Sequence, residues 1–174
     1  SGTTVVTNVA CNGGSNGTIN LTPSGGTPGY TFNWTSGNTT EDRIGLIAGT
    51  YTVTITDANG CIGTVNATLT QPTALTATTS QTNVSCNGGA NGTASVVVSG
   101  GTAGYTYSWL PSGGTAATAS GLAAGAYTCT ITDANSCTLT KSFTLTQPTA
   151  LSATTSQTNV SCNGGANGTA SVVV

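Results

Sequence analysis

Apolar residues alternate with threonine along much of the chain. In Thr50-Tyr51-Thr52-Val53-Thr54-Ile55-Thr56 the apolar side chains fall on one side of an extended backbone and the threonines on the other. That period of two marks a half-buried strand. Tyr30, Phe32 and Trp34 alternate likewise, as do Tyr105, Tyr107 and Trp109. Ile19 and Leu21, matched by Ala94 and Val96, predict another strand. Val65, Ala67 and Leu69, matched by Lys141, Phe143 and Leu145, predict the last. Lys141 interrupts the apolar face and is expected to reach water from a strand end. No stretch keeps helical periodicity over three turns. Between the runs, Asn12-Gly13-Gly14 and Asn87-Gly88-Gly89 read as hairpin turns, because Asn and Gly tolerate positive φ. Asp57-Ala58-Asn59-Gly60 and Asp133-Ala134-Asn135-Ser136 read as the final hairpin of each set.

The pattern repeats. Residues 77–98 recur without change as 153–174, at an offset of 76. An older copy lies upstream, with Trp34 matching Trp109 at 75 and Tyr51 matching Tyr127 at 76, so one residue was inserted in the loop between them. The expected organisation is a first repeat over residues 1–72, a second over 73–148, and the opening strands of a third, truncated repeat over 149–174. The pairs Gln71-Pro72 and Gln147-Pro148 mark the junctions, since proline ends a strand and stiffens a short linker.

Many short strands with regular turn signals predict an all-β fold, here tandem immunoglobulin-like β-sandwich repeats of about 76 residues with seven strands each. Trp34 and Trp109 fall on the third strand, where that fold buries a large ring. Leu46-Ile47-Ala48-Gly49-Thr50-Tyr51 and its copy ending at Tyr127 have the spacing of a tyrosine corner, whose hydroxyl bonds back to nearby backbone.

Composition narrows the function. Lysine plus arginine total 2, aspartate plus glutamate total 4, and histidine is absent. Two cations cannot neutralise a run of phosphates, which excludes nucleic acid as a partner. Without histidine the commonest general base and transition-metal ligand are missing. No nucleophile–base pair is available, so no catalytic residue, cofactor or metal site is assigned and the chain is not expected to be an enzyme. No apolar run is long enough to span a membrane. The 39 threonines take the outward strand positions that lysine and glutamate usually occupy.

Six cysteines place the chain in an oxidising, extracellular compartment. Cys11, Cys86 and Cys162 precede the second strand of each copy, whereas Cys61 and Cys137 follow the last hairpin turn. Two pairings are open. Bridges within repeats would join Cys11 to Cys61 and Cys86 to Cys137, which is the favoured expectation. Bridges between repeats would join Cys61 to Cys86 and Cys137 to Cys162; they gain support because the two turns lie at opposite ends of an immunoglobulin-like domain. Cys129 replaces Val53 on the inward face and reads as a buried free thiol acting as a small hydrophobe.

The order Cys-Asn-Gly-Gly-x-Asn-Gly-Thr, Gly-Gly-Thr-x-Gly-Tyr-Thr-x-x-Trp, Leu-x-Ala-Gly-x-Tyr-Thr-x-x-Ile-Thr-Asp-Ala-Asn-x-Cys and Thr-Leu-Thr-Gln-Pro resembles the SprB-type repeat of Bacteroidota cell-surface adhesins. The resemblance covers essentially the whole chain. It implies a secreted, repetitive surface protein exported by the type IX route, in a family with no defined catalytic residues.

Other candidate sites have simpler readings. Asp57 and Asp133 suggest calcium ligands, but one carboxylate per repeat falls short of calcium's six to eight oxygens, and an Asx-turn suffices. Glu41, Asp42 and Arg43 read as a solvated loop. The structural residues are therefore Cys11, Cys61, Cys86, Cys137, Trp34, Trp109, Tyr51 and Tyr127. The expected function is a stalk or filament segment of an extracellular adhesin, serving attachment and, in this family, gliding; the alternative is a carbohydrate-binding surface module. Expected partners are neighbouring repeats of the same chain, laterally pairing copies through exposed edge strands, and a polysaccharide or other surface.

Overall fold

A computed structural model describes residues 1–174. Strands β1 (Gly2–Thr7), β2 (Gly17–Pro23) and β4 (Arg43–Leu46) form one antiparallel sheet in the order β1-β2-β4. Strands β3 (Thr31–Trp34), β5 (Gly49–Thr56) and β6 (Ile62–Leu69) form another in the order β3-β5-β6. The second set repeats the arrangement. β7 (Thr76–Thr82), β8 (Gly92–Ser99) and β10 (Thr118–Leu122) form a sheet in the order β10-β8-β7. β9 (Thr106–Leu110), β11 (Gly125–Thr132) and β12 (Thr138–Leu145) form a sheet in the order β12-β11-β9. Strands 1, 2 and 4 against 3, 5 and 6 reproduce the A-B-E and C-F-G sheets of the immunoglobulin sandwich. The fold is all-β and immunoglobulin-like.

Each sandwich has six strands, not the seven expected. The segment after the tryptophan strand turns back at once, with Gly37 N–H bonded to Trp34 O at 2.7 Å. In the second copy that segment holds Pro111, Gly113 and Gly114. Neither stretch alternates apolar and polar residues, and proline lacks a ladder donor, so no additional strand forms between β3 and β4 or between β9 and β10.

The cores follow the alternation. Ile19, Leu21 and Leu46 from one sheet meet Trp34, Val53, Ile55, Ala67 and Leu69 from the other. In the second sandwich Ala94, Val96, Ala119 and Leu122 meet Trp109, Tyr127, Cys129, Ile131, Phe143 and Leu145. Cys129 is wholly buried and reduced, beside Trp109 in the strand register; burial pushes its thiol upward. Lys141 lies mid-strand on β12, opposite Cys129, rather than at a strand end; β12 is a sheet edge, and the side chain is half-buried there.

Outward hydroxyls pair across strands where charged proteins would place ion pairs. Thr50 meets Thr68 at 3.2 Å, Ser80 meets Ser95 at 2.7 Å, and Thr52 donates to Asn66 Oδ1 at 2.7 Å. Such cross-strand pairs each stabilise by roughly 0.2–1 kcal/mol.

The Asn-Gly-Gly segments are not tight hairpin turns. After β1 the chain crosses from one sheet to the other: Val9 N–H donates to Thr70 O at 3.0 Å, and Thr70 N–H donates to Asn8 Oδ1 at 2.8 Å. Val84 and Asn83 repeat both bonds with Thr146. The Asn-Gly-Gly turn sits at the far end of this crossover. The remaining strands, β13 (Thr154–Thr158) and β14 (Thr169–Val173), form a two-stranded hairpin. Its Val172 is 64% exposed, whereas the identical Val96 is 4% exposed inside its sandwich.

Candidate functional site at the junction between sandwiches

The residues singled out from the sequence fall into two groups. The aromatic ones hold each sandwich. Trp34 and Trp109 are 2% and 4% exposed. Their indole N–H groups donate to Thr40 O and Ala116 O, each at 2.8 Å, so the buried polar atom is satisfied. Trp109 also packs on Phe143, with ring centroids 5.2 Å apart. Tyr51 Oη–H donates to Ile47 O at 3.0 Å, and Tyr127 Oη–H to Ala123 O at 3.2 Å, tying the start of strands β5 and β11 to the preceding loop. A second tyrosine tie went unread in the sequence: Tyr30 donates to Gly25 O at 2.9 Å and Tyr105 to Gly100 O at 2.6 Å.

The cysteines and the turn residues build the junction. Each Asp-Ala-Asn turn is organised by its aspartate. Asp133 Oδ1 accepts from Asn135 N at 2.9 Å and from Cys137 N at 2.8 Å, and Oδ2 accepts from Thr102 N at 2.8 Å. Asp57 accepts from Asn59, Cys61 and Thr27 in the same way. The Thr27 N–H holds the Asp57 carboxyl below the ordinary aspartate range, helped by Cys61 N–H. The Thr102 N–H does so for Asp133, against the opposing effect of burial. A carboxylate ringed by N–H donors favours its anion but presents those donors to an arriving cation. This is Asx-turn geometry, not a calcium shell.

At the opposite end of each sandwich, Asn16 Oδ1 accepts from Ala10 N at 3.0 Å and shapes the loop carrying Cys11. Asn12 Nδ2 donates to Pro72 O at 3.0 Å, and Gly13 N–H, at φ 73°, donates to Gln71 Oε1 at 2.8 Å. The Gln-Pro linker is thus clamped to the turn that precedes β2. Asn87 and Gly88 clamp Pro148 and Gln147 at 3.1 and 2.8 Å.

The two ends meet between the sandwiches. Cys11 is bonded to Cys137, with Cα atoms 5.7 Å apart and a sequence separation of 126. Beside the bridge, Asn135 Nδ2 donates to Ala10 O at 3.0 Å, and Gly101 N–H donates to Thr73 O at 2.9 Å. Leu75 packs over Gly101. A groove of about 430 Å³ remains, lined by Cys11, Asn12, Leu75, Asp133 and Cys137 among others.

This overturns the favoured pairing. Cys11 does not bond Cys61, nor Cys86 Cys137; Cys61 and Cys86 are free and exposed. The bridge joins neighbouring sandwiches, but in the opposite sense to the alternative. Pairing Cys61 with Cys86, or Cys137 with Cys162, would link the entry end of one sandwich to the exit end of the next, the two points furthest apart. Strand β6 runs toward the Asn-Gly-Gly end, so the linker leaves there and delivers the next sandwich with its Asp-Ala-Asn turn foremost.

Glu41 is a solvated loop residue, but Asp42 and Arg43 are more than that. Asp42 Oδ1 accepts from Leu21 N at 2.9 Å, closing a gap in the irregular β2–β4 pairing. In the second sandwich Ala117 O accepts from Val96 N at 3.0 Å instead. Arg43 donates to Ser36 Oγ at 2.8 Å and lies 5.5 Å from the Trp34 ring centre.

No curated protein matches the chain. A chain from the solved structure "Structural basis for Dscam isoform specificity" superposes with a TM-score of 0.38 and 17% identity, over 85% of this chain and 47% of that one. This chain therefore spans under half of that one, and so distant a likeness carries no argument; the fold rests on the strand order. The SprB repeat family matches at residues 3–39 and 78–114. Each match begins in the first strand of a sandwich and ends beyond its tryptophan strand, at the same place in both copies, so the first half of each sandwich matches an SprB-type repeat.

Proposed function

We propose that the chain is a stalk segment of a long extracellular adhesin. In this reading the sandwiches are rigid beads set head to tail, and the stalk serves surface attachment and gliding-type movement. The observation that carries it is the junction: a bridge, a clamped Gln-Pro linker and the Asn135–Ala10 bond fix one sandwich on the next. Repeat arrays depend on contacts between neighbours. A bridge that survives belongs to an oxidising compartment, which fits the cell surface. Strands of eight residues span ~26 Å, so each bead adds roughly 30 Å to the stalk.

The carbohydrate-binding alternative lacks its main support. Its aromatic platform would have been Trp34 and Trp109, and both are buried. The threonine-covered faces favour lateral contacts that depend weakly on salt, because few charges exist to be screened.

The test is immunogold labelling of intact cells that make the protein, with negative-stain microscopy of the labelled material. Extended threads at the cell surface are expected. Label confined to permeabilised cells, or compact particles, would overturn the proposal.

A further inference from the structure

The Cys11–Cys137 junction has two halves, and the chain carries each half once more in an open state. Around Cys86 the exit half is complete. Gly89 N–H donates to Cys86 O at 3.0 Å, as Gly14 does to Cys11 O at 2.9 Å. Asn91 Oδ1 shapes the loop by accepting from Ser85 N at 3.1 Å, and Asn87 and Gly88 hold the Gln147-Pro148 linker. Around Cys61 the entry half is complete. Asp57 holds Cys61 N at 2.8 Å, and Asn59 Nδ2 donates to Thr27 Oγ1 at 2.8 Å, as Asn135 does to Thr102 at 2.9 Å. Gly26, Asp57 and Cys61 line a recess of about 190 Å³, at the positions equivalent to Gly101, Asp133 and Cys137, which line the junction groove.

Exposure distinguishes the open halves from the closed one. Cys11, Pro72 and Leu75 are half-buried, whereas their counterparts Cys86, Pro148 and Leu151 are exposed, Leu151 by 85%. Asp133 is 4% exposed under the junction, whereas Asp57 is only half-buried.

We infer that the bridge is one link of a directional series. The cysteine before Asn-Gly-Gly in each repeat bonds the cysteine after Asp-Ala-Asn in the following repeat. Cys86 is the docking half for a following repeat's hairpin cysteine, and Cys61 is the docking half for a preceding repeat's Asn-Gly-Gly cysteine. The occupant is another repeat of this kind, because the complementary surface already seen on Cys11 is a repeat: an Asp-held cysteine, an amide aimed at a backbone carbonyl, and a Gly-Gly edge receiving the linker. Bond formation oxidises the two thiols by two electrons. A small donor disulfide such as oxidised glutathione is reduced to two thiols, which carry the two protons away. The inference concerns connectivity and stands whether or not the array serves adhesion.

The test adds one copy of residues 73–148 after Pro148 in the full chain and refolds it in a glutathione redox buffer. Non-reducing peptide mapping should find Cys11 bonded to Cys137 and Cys86 bonded to the hairpin cysteine of the inserted copy. Cys86→Ser should free that one thiol for alkylation and leave the Cys11–Cys137 bridge intact. A Cys86 bonded within its own chain to Cys61 or to Cys137, or a free Cys86 beside an inserted copy with native circular dichroism, would overturn the inference. The 174-residue chain gives an independent reading that needs no added repeat: alkylation without reductant should label Cys61, Cys86 and Cys162 and spare Cys11 and Cys137. A bond within one chain between any two of the first three would equally overturn it.

Discussion

Pulling the chain by its two ends separates the bridge seen here from bridges within repeats and from a Cys61–Cys86 bridge. With Cys11 bonded to Cys137, the shortest covalent path leaves β1, crosses the bridge and continues through β12, bypassing a sequence separation of 126. At ~3.5 Å per extended residue that bypass hides about 440 Å of a total near 605 Å. Bridges within repeats would hide two loops of ~50 residues each, about 350 Å, and a single Cys61–Cys86 bridge only about 90 Å. The measurement is optical-trap extension of the full chain through enzymatically attached end handles, before and after reductant, so that no cysteine is used for coupling. The oxidised chain should reach a contour about 440 Å shorter than the reduced one. Equal contours, or a difference near 350 or 90 Å, would refute the assignment. The same closed loop constrains the unfolded chain, which the chain-entropy model sets at about 5 kcal/mol.

Three further outcomes follow from particular contacts. Asp57 and Asp133 are both held below the ordinary value of 3.8, so the unfolded chain binds more protons in acid and stability rises with pH across that window. The melting temperature should stay level from about pH 7 to pH 5 and fall as pH drops below about 4, with Asp57→Asn and Asp133→Asn flattening the acid limb; a decline already near pH 6 would contradict this. An alanine Cβ at Gly92 would meet Leu145 Cδ2 at 2.5 Å and Leu122 O at 2.9 Å, and one at Gly17 would meet Leu69 Cδ2 and Leu46 O. Gly17→Ala and Gly92→Ala should each cost roughly 1–3 kcal/mol in urea unfolding. Cys129→Val restores the residue of the first repeat at a wholly buried site and should change stability by less than ~1.5 kcal/mol, measured by the same titration, while removing the one thiol that alkylates only after denaturation.

Much of the fold was legible because period-two alternation is a local property. Thr50 to Thr56 shows its inner face whatever surrounds it, and the tryptophans mark the third strand in both copies. The seventh strand was expected from the fold family, but Pro111 and Gly113 carry no strand pattern. The crossover at Asn8 and Val9 was hidden, because a strand that changes sheets has the same local sequence as one that stops. The linker clamp was hidden for a related reason: Asn12 and Pro72 lie 60 residues apart, and nothing in either signals the other. The sense of the bridge was within reach. The two cysteines were already placed at opposite ends of a sandwich, and following strand directions from β1 to β6 shows at which end the linker leaves. That step turns a choice between pairings into one allowed neighbour.

Direction has a mechanical consequence once the series continues. Cys86 lies inside the loop closed by Cys11 and Cys137, so a bridge from Cys86 to a following repeat begins before the earlier loop ends. Consecutive loops then overlap, and tension along the array passes only through the segments between one hairpin cysteine and the next Asn-Gly-Gly cysteine. Here that segment runs from Cys137 to Cys162 and contains β12, the Gln147-Pro148 linker and β13. It is the segment that Asn87 and Gly88 clamp. The covalent bridges limit how far any repeat can open, and the clamps sit on the stretches that would open first. A surface almost without charge leaves both devices insensitive to salt, since neither the hydroxyl pairs nor the backbone clamps are screened as ion pairs are.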